Sequence, residues 1–198
     1  MRSVLILLFW FFITLSVNTA DAQVQQPDSS RLFTSLLEAM KSPENVYHLR
    51  LSRKKLKVFP AEIFQCKNLR SLDLSKNKID SLPANIGELT QLQKLDVSSN
   101  KLLGLPPEIG KLSHLKTLII SRNDIDSIPS QMASLVNLER LELWDTSVAN
   151  FPLAMGKIEK LKYIEMRGIM LNSEDQQKII DIFPAAQIFF SPSCNCKY

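Results

Sequence analysis

Apolar residues along this chain keep a fixed beat. A block reading leucine-x-x-leucine-x-leucine-x-x-asparagine-x-leucine starts at Val46, Leu69, Leu92, Leu115, Leu138 and Leu161, each 23 residues after the last. The second copy reads Leu69, Leu72, Leu74, Asn77, Ile79; the third reads Leu92, Leu95, Val97, Asn100, Leu102; the fourth reads Leu115, Leu118, Ile120, Asn123, Ile125. The rest of the period repeats as well. Pro60, Pro83, Pro106, Pro129 and Pro152 share one phase, and Ile86-Gly87, Ile109-Gly110 and Met155-Gly156 share another. Residues two apart, such as Leu72 and Leu74, point to one side of a short strand. A single strand cannot bury that side alone, so the copies must stack on one another. Proline cannot continue a strand ladder, so each coil leaves its strand there and crosses to the opposite side. The isoleucine-glycine segment then supplies the inward residues of that side.

The motif and its period resemble the leucine-rich repeat family over residues 46–190. The proline and isoleucine-glycine phases are similar to the 23-residue subclass found in Ras-pathway scaffold proteins and in exported bacterial repeat proteins. The resemblance implies an α/β solenoid: an arc with short parallel strands on its concave face and a non-catalytic, protein-binding role for that face. It is specific for fold and weak for function, because the scaffold hosts many ligands.

The ends differ from the interior. Ser29 and Ser30 precede apolar residues at Leu32, Phe33, Leu36, Leu37 and Met40, a spacing that predicts an amphipathic helix over the first coil. At the other end Ser173-Glu174-Asp175-Gln176 reads as a capping box, followed by a helix of about two turns ending at Pro184. Ile188 and Phe190 then restore the strand pattern. Seven strands at ~4.8 Å give an arc about 30 Å long. The expected organisation is a signal peptide at 1–22, a helical cap at 23–45, six repeats at 46–172, and a C-terminal cap with a cysteine-containing tail at 173–198.

Residues 1–22 follow the grammar of a secretory signal: Arg2, an apolar run from Val4 to Val17, then Ala20-Asp21-Ala22 before Gln23. The run is shorter than the ~20 residues that span a bilayer. The expectation is an exported protein, secreted or periplasmic, without a transmembrane span after cleavage; an uncleaved anchor is the alternative. The formal charge of +4 is mild, and no basic stripe of the kind that binds nucleic acid is evident. Arg53-Lys54-Lys55 and the scattered Lys111, Lys116, Lys157, Lys160 and Lys162 read as solvated faces. Three cysteines do not make a disulfide framework. Cys66 falls in the phase of Leu89 and Leu112 and reads as a core residue. Cys194 and Cys196 are open to a local bridge, an intermolecular disulfide or a metal contact.

Function is expected on the outward strand positions, which align in three columns. The first holds His48, Ser71, Lys94, Thr117, Arg140 and Tyr163. The second holds Arg50, Asp73, Asp96, Ile119, Glu142 and Glu165. The third holds Ser52, Ser75, Ser98, Ser121, Trp144 and Arg167. Asp73 with Asp96, and Glu142 with Glu165, pair across neighbouring strands. An open arc offers no pocket to set their pKa values apart for acid–base chemistry, and Lys94 and Arg140 stand near to neutralise them. Ile119 and Trp144 replace the acids and serines of earlier copies with large apolar groups, which points to partner contact. A stack of Arg167 on Trp144 is the bland alternative. The expected partner-binding set is Asp73, Asp96, Ile119, Arg140, Glu142, Trp144, Tyr163, Glu165 and Arg167. Asn77, Asn100 and Asn123 are expected to form a buried ladder between coils; Lys54, Thr146 and Ile169 break it. The two histidines, His48 and His114, lie far apart, and no phosphate loop, zinc signature or nucleophile motif is present. No cofactor or metal is expected. The partner is expected to be a protein; a carbohydrate or cell-envelope glycan stacking on Trp144 is the alternative.

Overall fold

The computed structural model describes residues 28–192. The signal-like segment, Gln23 and the tail cysteines Cys194 and Cys196 lie outside the described residues. Eight parallel strands form one sheet in chain order: β1 (Leu32–Phe33), β2 (His48–Arg50), β3 (Ser71–Asp73), β4 (Lys94–Asp96), β5 (Thr117–Ile119), β6 (Arg140–Glu142), β7 (Tyr163–Met166) and β8 (Gln187–Phe190). The register is unbroken, so Leu49, Leu72, Leu95, Leu118, Leu141, Ile164 and Ile188 form one row across the sheet.

Each return path is a short 3-10 turn opened by the repeated proline: Ala61–Gln65, Ala84–Glu88, Pro107–Lys111, Ser130–Ser134 and Leu153–Lys157. The proline carbonyl accepts the first turn bond, as from Ile86 N to Pro83 O. Ile63, Ile86, Ile109, Met132 and Met155 point inward from these turns and complete a single core with the strand leucines. Its buried members run from Phe33 to Phe183. Gly87 and Gly110 sit where adjacent turns touch. A Cβ on Gly110 would lie 2.3 Å from the Gln131 carbonyl oxygen. Cys66 is fully buried among these residues, and burial pushes its thiol pKa up to about 11.

The turns leaving β3, β4 and β5 are polar, and asparagine amides tie them together. Asn100 donates Nδ2 to Leu74 O, Val97 O and Ser98 O and accepts from Ile79 N; Asn123 does the same with Val97, Ile120, Ser121 and Leu102. Asn77 donates to Leu51, Leu74 and Ser75 and accepts from Lys54 N and Leu56 N. Thr146 reaches only Leu143 O in its own coil. The opposite edge has its own ties: Asn68 to Glu44 O, His114 Nδ1 to Thr90 O at 2.9 Å, and Asn137 to Ser113 O. The His114 contact makes Nδ1 the donor, which gives that histidine the job the two asparagines perform elsewhere.

Both ends differ from the sequence expectation. The N-terminal helix spans only Leu36–Ala39 (α1). Residues Leu32 and Phe33 instead form β1, because Phe33 buries in register beside Leu49. Leu37, placed on an apolar helix face by the pattern, is 79% exposed. The sheet therefore has eight strands rather than seven. At the C-terminus α2 spans Ser173–Ile182, ten residues, and its cap is Asn172 rather than Ser173. Asn172 Oδ1 accepts from Asp175 N at 2.8 Å. Gln176 Nε2 donates to Leu171 O, just before the cap, and to Ser191 O, and so fastens the end of β8 to the helix start.

Candidate partner-binding site on the concave face

The concave face divides into two halves of different character. On β2–β4 the acids are locally occupied. Asp73 Oδ1 accepts from the backbone and hydroxyl of Ser75, and Asp96 Oδ1 does the same from Ser98. Arg50 approaches the other Asp73 oxygen at 3.3 Å. Burial, with Asp73 adjacent, raises the Asp96 pKa despite the Ser98 bonds. The aspartate–serine pairing is thus a turn device shared by the second and third copies. It fails in the fourth copy, where Ile119 stands in place of the acid: Ser121 Oγ is fully buried without a partner.

On β6–β8 the side chains gather around a hollow of about 560 Å³ lined by Arg140, Glu142, Trp144, Asp145, Tyr163, Glu165, Arg167 and Gly168. The Glu142 and Glu165 carboxylates lie low and the Arg140 and Arg167 guanidinium groups lie high, while the Asp145 carboxylate is exposed at the rim within 3.7 Å of Arg122. The Glu165 side chain is 5% exposed and the Arg167 side chain 66%. Glu165 accepts from Arg167 N, Nε and Nη2 and from Tyr163 OH. The Arg167 guanidinium holds the Glu165 carboxyl below the usual range. Arg140 donates Nε to Glu142, which raises the arginine pKa, and lies 3.7 Å above the Tyr163 ring. Tyr163 packs on Phe189 at 5.0 Å between centroids. Each of the two guanidinium groups is pinned by a carboxylate beneath it and a ring beside it, on a side chain that stays 42% exposed at Arg140 and 66% at Arg167. Such a surface is preorganised for carboxylates and for apolar groups that fit between the rings.

The structure thus brings Arg140, Glu142, Trp144, Tyr163, Glu165 and Arg167 together, and joins Trp144 to Tyr163 through one hollow. It leaves Asp73 and Asp96 apart, toward the other end. Ile119, half-buried, lies between Asp96 and Glu142 on β5. The guanidinium over Trp144 belongs to Arg122 at 5.7 Å, not to Arg167, which lies over Phe189. Phe189 and Arg122 were missed from the sequence. Phe189 was findable: if Ile188 and Phe190 point inward, the residue between them points to the concave face. A second hollow, about 660 Å³, lies on the convex side between Leu153 and α2, walled by Phe151, Ile179 and Ile182.

The family model for the leucine rich repeat matches residues 44–102 and 90–147, over half of the chain. The chain belongs to the leucine-rich repeat family. Among solved structures it is similar to a leucine-rich repeat protein of Leptospira interrogans, with 25% identity and a TM-score of 0.62 over 83% of this chain and 49% of that one. It is also similar to the ectodomain of the plant membrane receptor kinase GASSHO1/SCHENGEN3 from Arabidopsis thaliana, in complex with Casparian strip integrity factor 2. That match has 28% identity and a TM-score of 0.60 over 74% of this chain and 18% of the receptor. The plant peptide hormone receptor RGFR1, in complex with RGF2, matches at 30% identity and a TM-score of 0.53, over 58% and 19% of the two chains. The chain spans about half the length of the first of these and under a fifth of the two receptors. No curated protein gives a significant match.

Proposed function

We propose that this chain is a non-catalytic binding module that takes a protein or peptide partner on the concave face over β6–β8, outside the cytoplasm. The observation that carries the reading is the hollow around Trp144 and Tyr163, rimmed by arginines whose partner carboxylates lie beneath them. It offers apolar contact and exposed arginine side chains in one place, the composition of an interface hot spot. Two of the similar solved structures are peptide–receptor complexes, which supports a polypeptide ligand. The two carboxylates on the strands are each tied to an arginine rather than to one another: Glu165 accepts from Arg167 and Tyr163 through both oxygens, and Glu142 accepts from Arg140 through Oε1. Export is supported by the ordered sequence Arg2, Val4–Val17, Ala20-Asp21-Ala22. No helix among the described residues is long and apolar enough to cross a membrane.

Affinity capture tests the site. Residues 23–198 are immobilised beside Trp144→Glu, Ile119→Glu and, as a control on the far half of the sheet, Asp73→Lys. A protein held by the parent and the control but released by the first two variants supports the concave site. Equal retention by all four moves the site off β5–β8. Release by free sugar rather than by peptide would replace the polypeptide ligand with a glycan. The N-terminal residue of the exported protein tests localisation: Gln23, or its cyclised form, marks a released chain.

A further inference from the structure

Stacking of the coils builds a surface that the linear order conceals. The turns leaving β2, β3 and β4 lie directly on one another, held by bonds from Arg53 N to Ser75 O, Lys76 N to Ser98 O, Lys78 N to Leu56 O and Lys101 N to Ile79 O. The lateral edge they form, residues 53–58, 76–81 and 99–104, carries Arg53, Lys54, Lys55, Lys57, Lys76, Lys78 and Lys101 against the single acid Asp80. All seven cations are exposed. Acids are paired with lysine or arginine at several other places on the molecule, yet among the described residues none of these seven makes a salt bridge. Lys55, Lys78 and Lys101 repeat at one phase, so they stand about 5 Å apart from coil to coil. The same edge reverses sign farther along, where Asp124, Asp126 and Asp145 take over. Two large aliphatic side chains rise from the basic part: Val58 and Leu103, each 69% exposed.

We propose that this edge docks on an anionic lipid surface, with the cations against the headgroups and Val58 and Leu103 entering the interface. Unpaired like charges held in a row gain free energy only where an extended negative surface meets them. The aliphatic pair distinguishes a bilayer from nucleic acid, which offers no apolar layer for Val58 and Leu103 to enter. The basic part of the edge, on the turns after β2–β4, is separated along the array from the hollow, whose lining begins at Arg140, so lipid and partner can be held together.

Vesicle sedimentation of residues 23–198 tests this, since the buried core lies between Phe33 and Phe183 and the N-terminal apolar run would itself bind lipid. The probes are phosphatidylcholine vesicles with and without about 30 mol% phosphatidylglycerol. Binding is expected only on the anionic vesicles at about 50 mM salt and is lost at about 500 mM, where the Debye length is a few ångströms. Lys57→Glu, Lys78→Glu and Lys101→Glu together should weaken binding by more than about tenfold, because each neighbouring cation counts for roughly fivefold. Val58→Ser with Leu103→Ser should weaken it severalfold with the salt dependence kept. Circular dichroism checks that each variant is folded; should the triple variant not fold, the salt series and the serine pair decide. Equal binding to neutral vesicles, no binding to anionic ones, or indifference to the serine pair overturns the proposal. Tighter binding of a short DNA duplex that is likewise indifferent to that pair replaces the membrane with nucleic acid.

Discussion

At the scale of single residues the concave face rests on short side-chain-to-backbone devices, and they fail one at a time. Ser75 and Ser98 each bond the aspartate two residues before them, whereas Ser121 has Ile119 there and keeps a buried hydroxyl without a partner. Stranding such a group costs about 1–3 kcal/mol. Ser121→Ala should therefore raise stability by about 1 kcal/mol, and Ser75→Ala should lower it by a similar amount. Urea denaturation of the two variants checks the opposite signs. The buried Glu165 and the half-buried Asp96 have opposite pH signatures. Glu165 is held below its ordinary value of 4.5, so it stabilises the fold above that value and the benefit is lost as pH falls through its lower folded value. Asp96 is raised above 3.8, so its relative contribution is greatest below that value and is lost as pH rises through its folded value. Asp96→Asn should melt higher than the parent at neutral pH, with the gap closing in acid, while Glu165→Gln should melt lower at neutral pH, with its gap closing in acid. Melting temperatures followed from neutral pH to about pH 3 read both trends.

At the scale of one coil, the inward leucines and the proline that opens each return turn reinforce one another five times over, joined in three coils by the exit-turn asparagine. That redundancy made the interior legible from sequence. The ends had no second copy to correct them. Leu32, Phe33, Leu36 and Leu37 satisfy helix spacing, yet one strand neighbour, Leu49, is enough to draw Phe33 into the sheet. Ser173 satisfies a capping box, but Asn172 stands one residue nearer in an extended conformation and takes the bond. The columns exposed the outward residues of β6 and β7, but the choice of ring by each arginine depends on neighbours from two coils and was not legible. Nor was the left-handed turn residue of every coil. It is Lys76, Ser99, Arg122 or Asp145 in the interior and glycine only at Gly168, so composition carries no trace of it. The stacking contacts predict which coil changes are severe. Gly110→Ala places a methyl against the Gln131 carbonyl and should destabilise by about 2–3 kcal/mol, and Asn123→Ala strands four backbone groups and should cost at least as much. Gly104→Ala, with nothing near its added Cβ, should change stability by less than about 0.5 kcal/mol. Denaturant midpoints across the three variants decide the order.

At the scale of the whole molecule, every strand pairing among the described residues joins consecutive coils, and the two candidate surfaces occupy different parts of the array. In such an array stability is close to a sum of coil and neighbour terms, so an interior coil can be removed without reorganising the rest. Deleting the 23 residues Leu92–His114 joins the third strand to the fifth with the leucine row and the proline phase intact. The shortened chain should still unfold in one cooperative transition, at a lower midpoint, and should keep partner binding, because every residue lining the hollow lies from Arg140 onward. It should lose part of the vesicle binding, since Lys101 and Leu103 go with the coil. Removing residues from Gln187 onward has the opposite profile. It takes away Phe189 and uncovers the edge of β7, leaving Ile164 and Met166 without their neighbours Ile188 and Phe190. An uncovered strand edge with exposed apolar groups is an aggregation template. That truncation should aggregate and lose the partner even where monomer survives, as light scattering and affinity capture on the two deletions would show. Loss of the partner on removing Leu92–His114 from a folded chain would place the binding surface across the middle of the arc instead of at its C-terminal end.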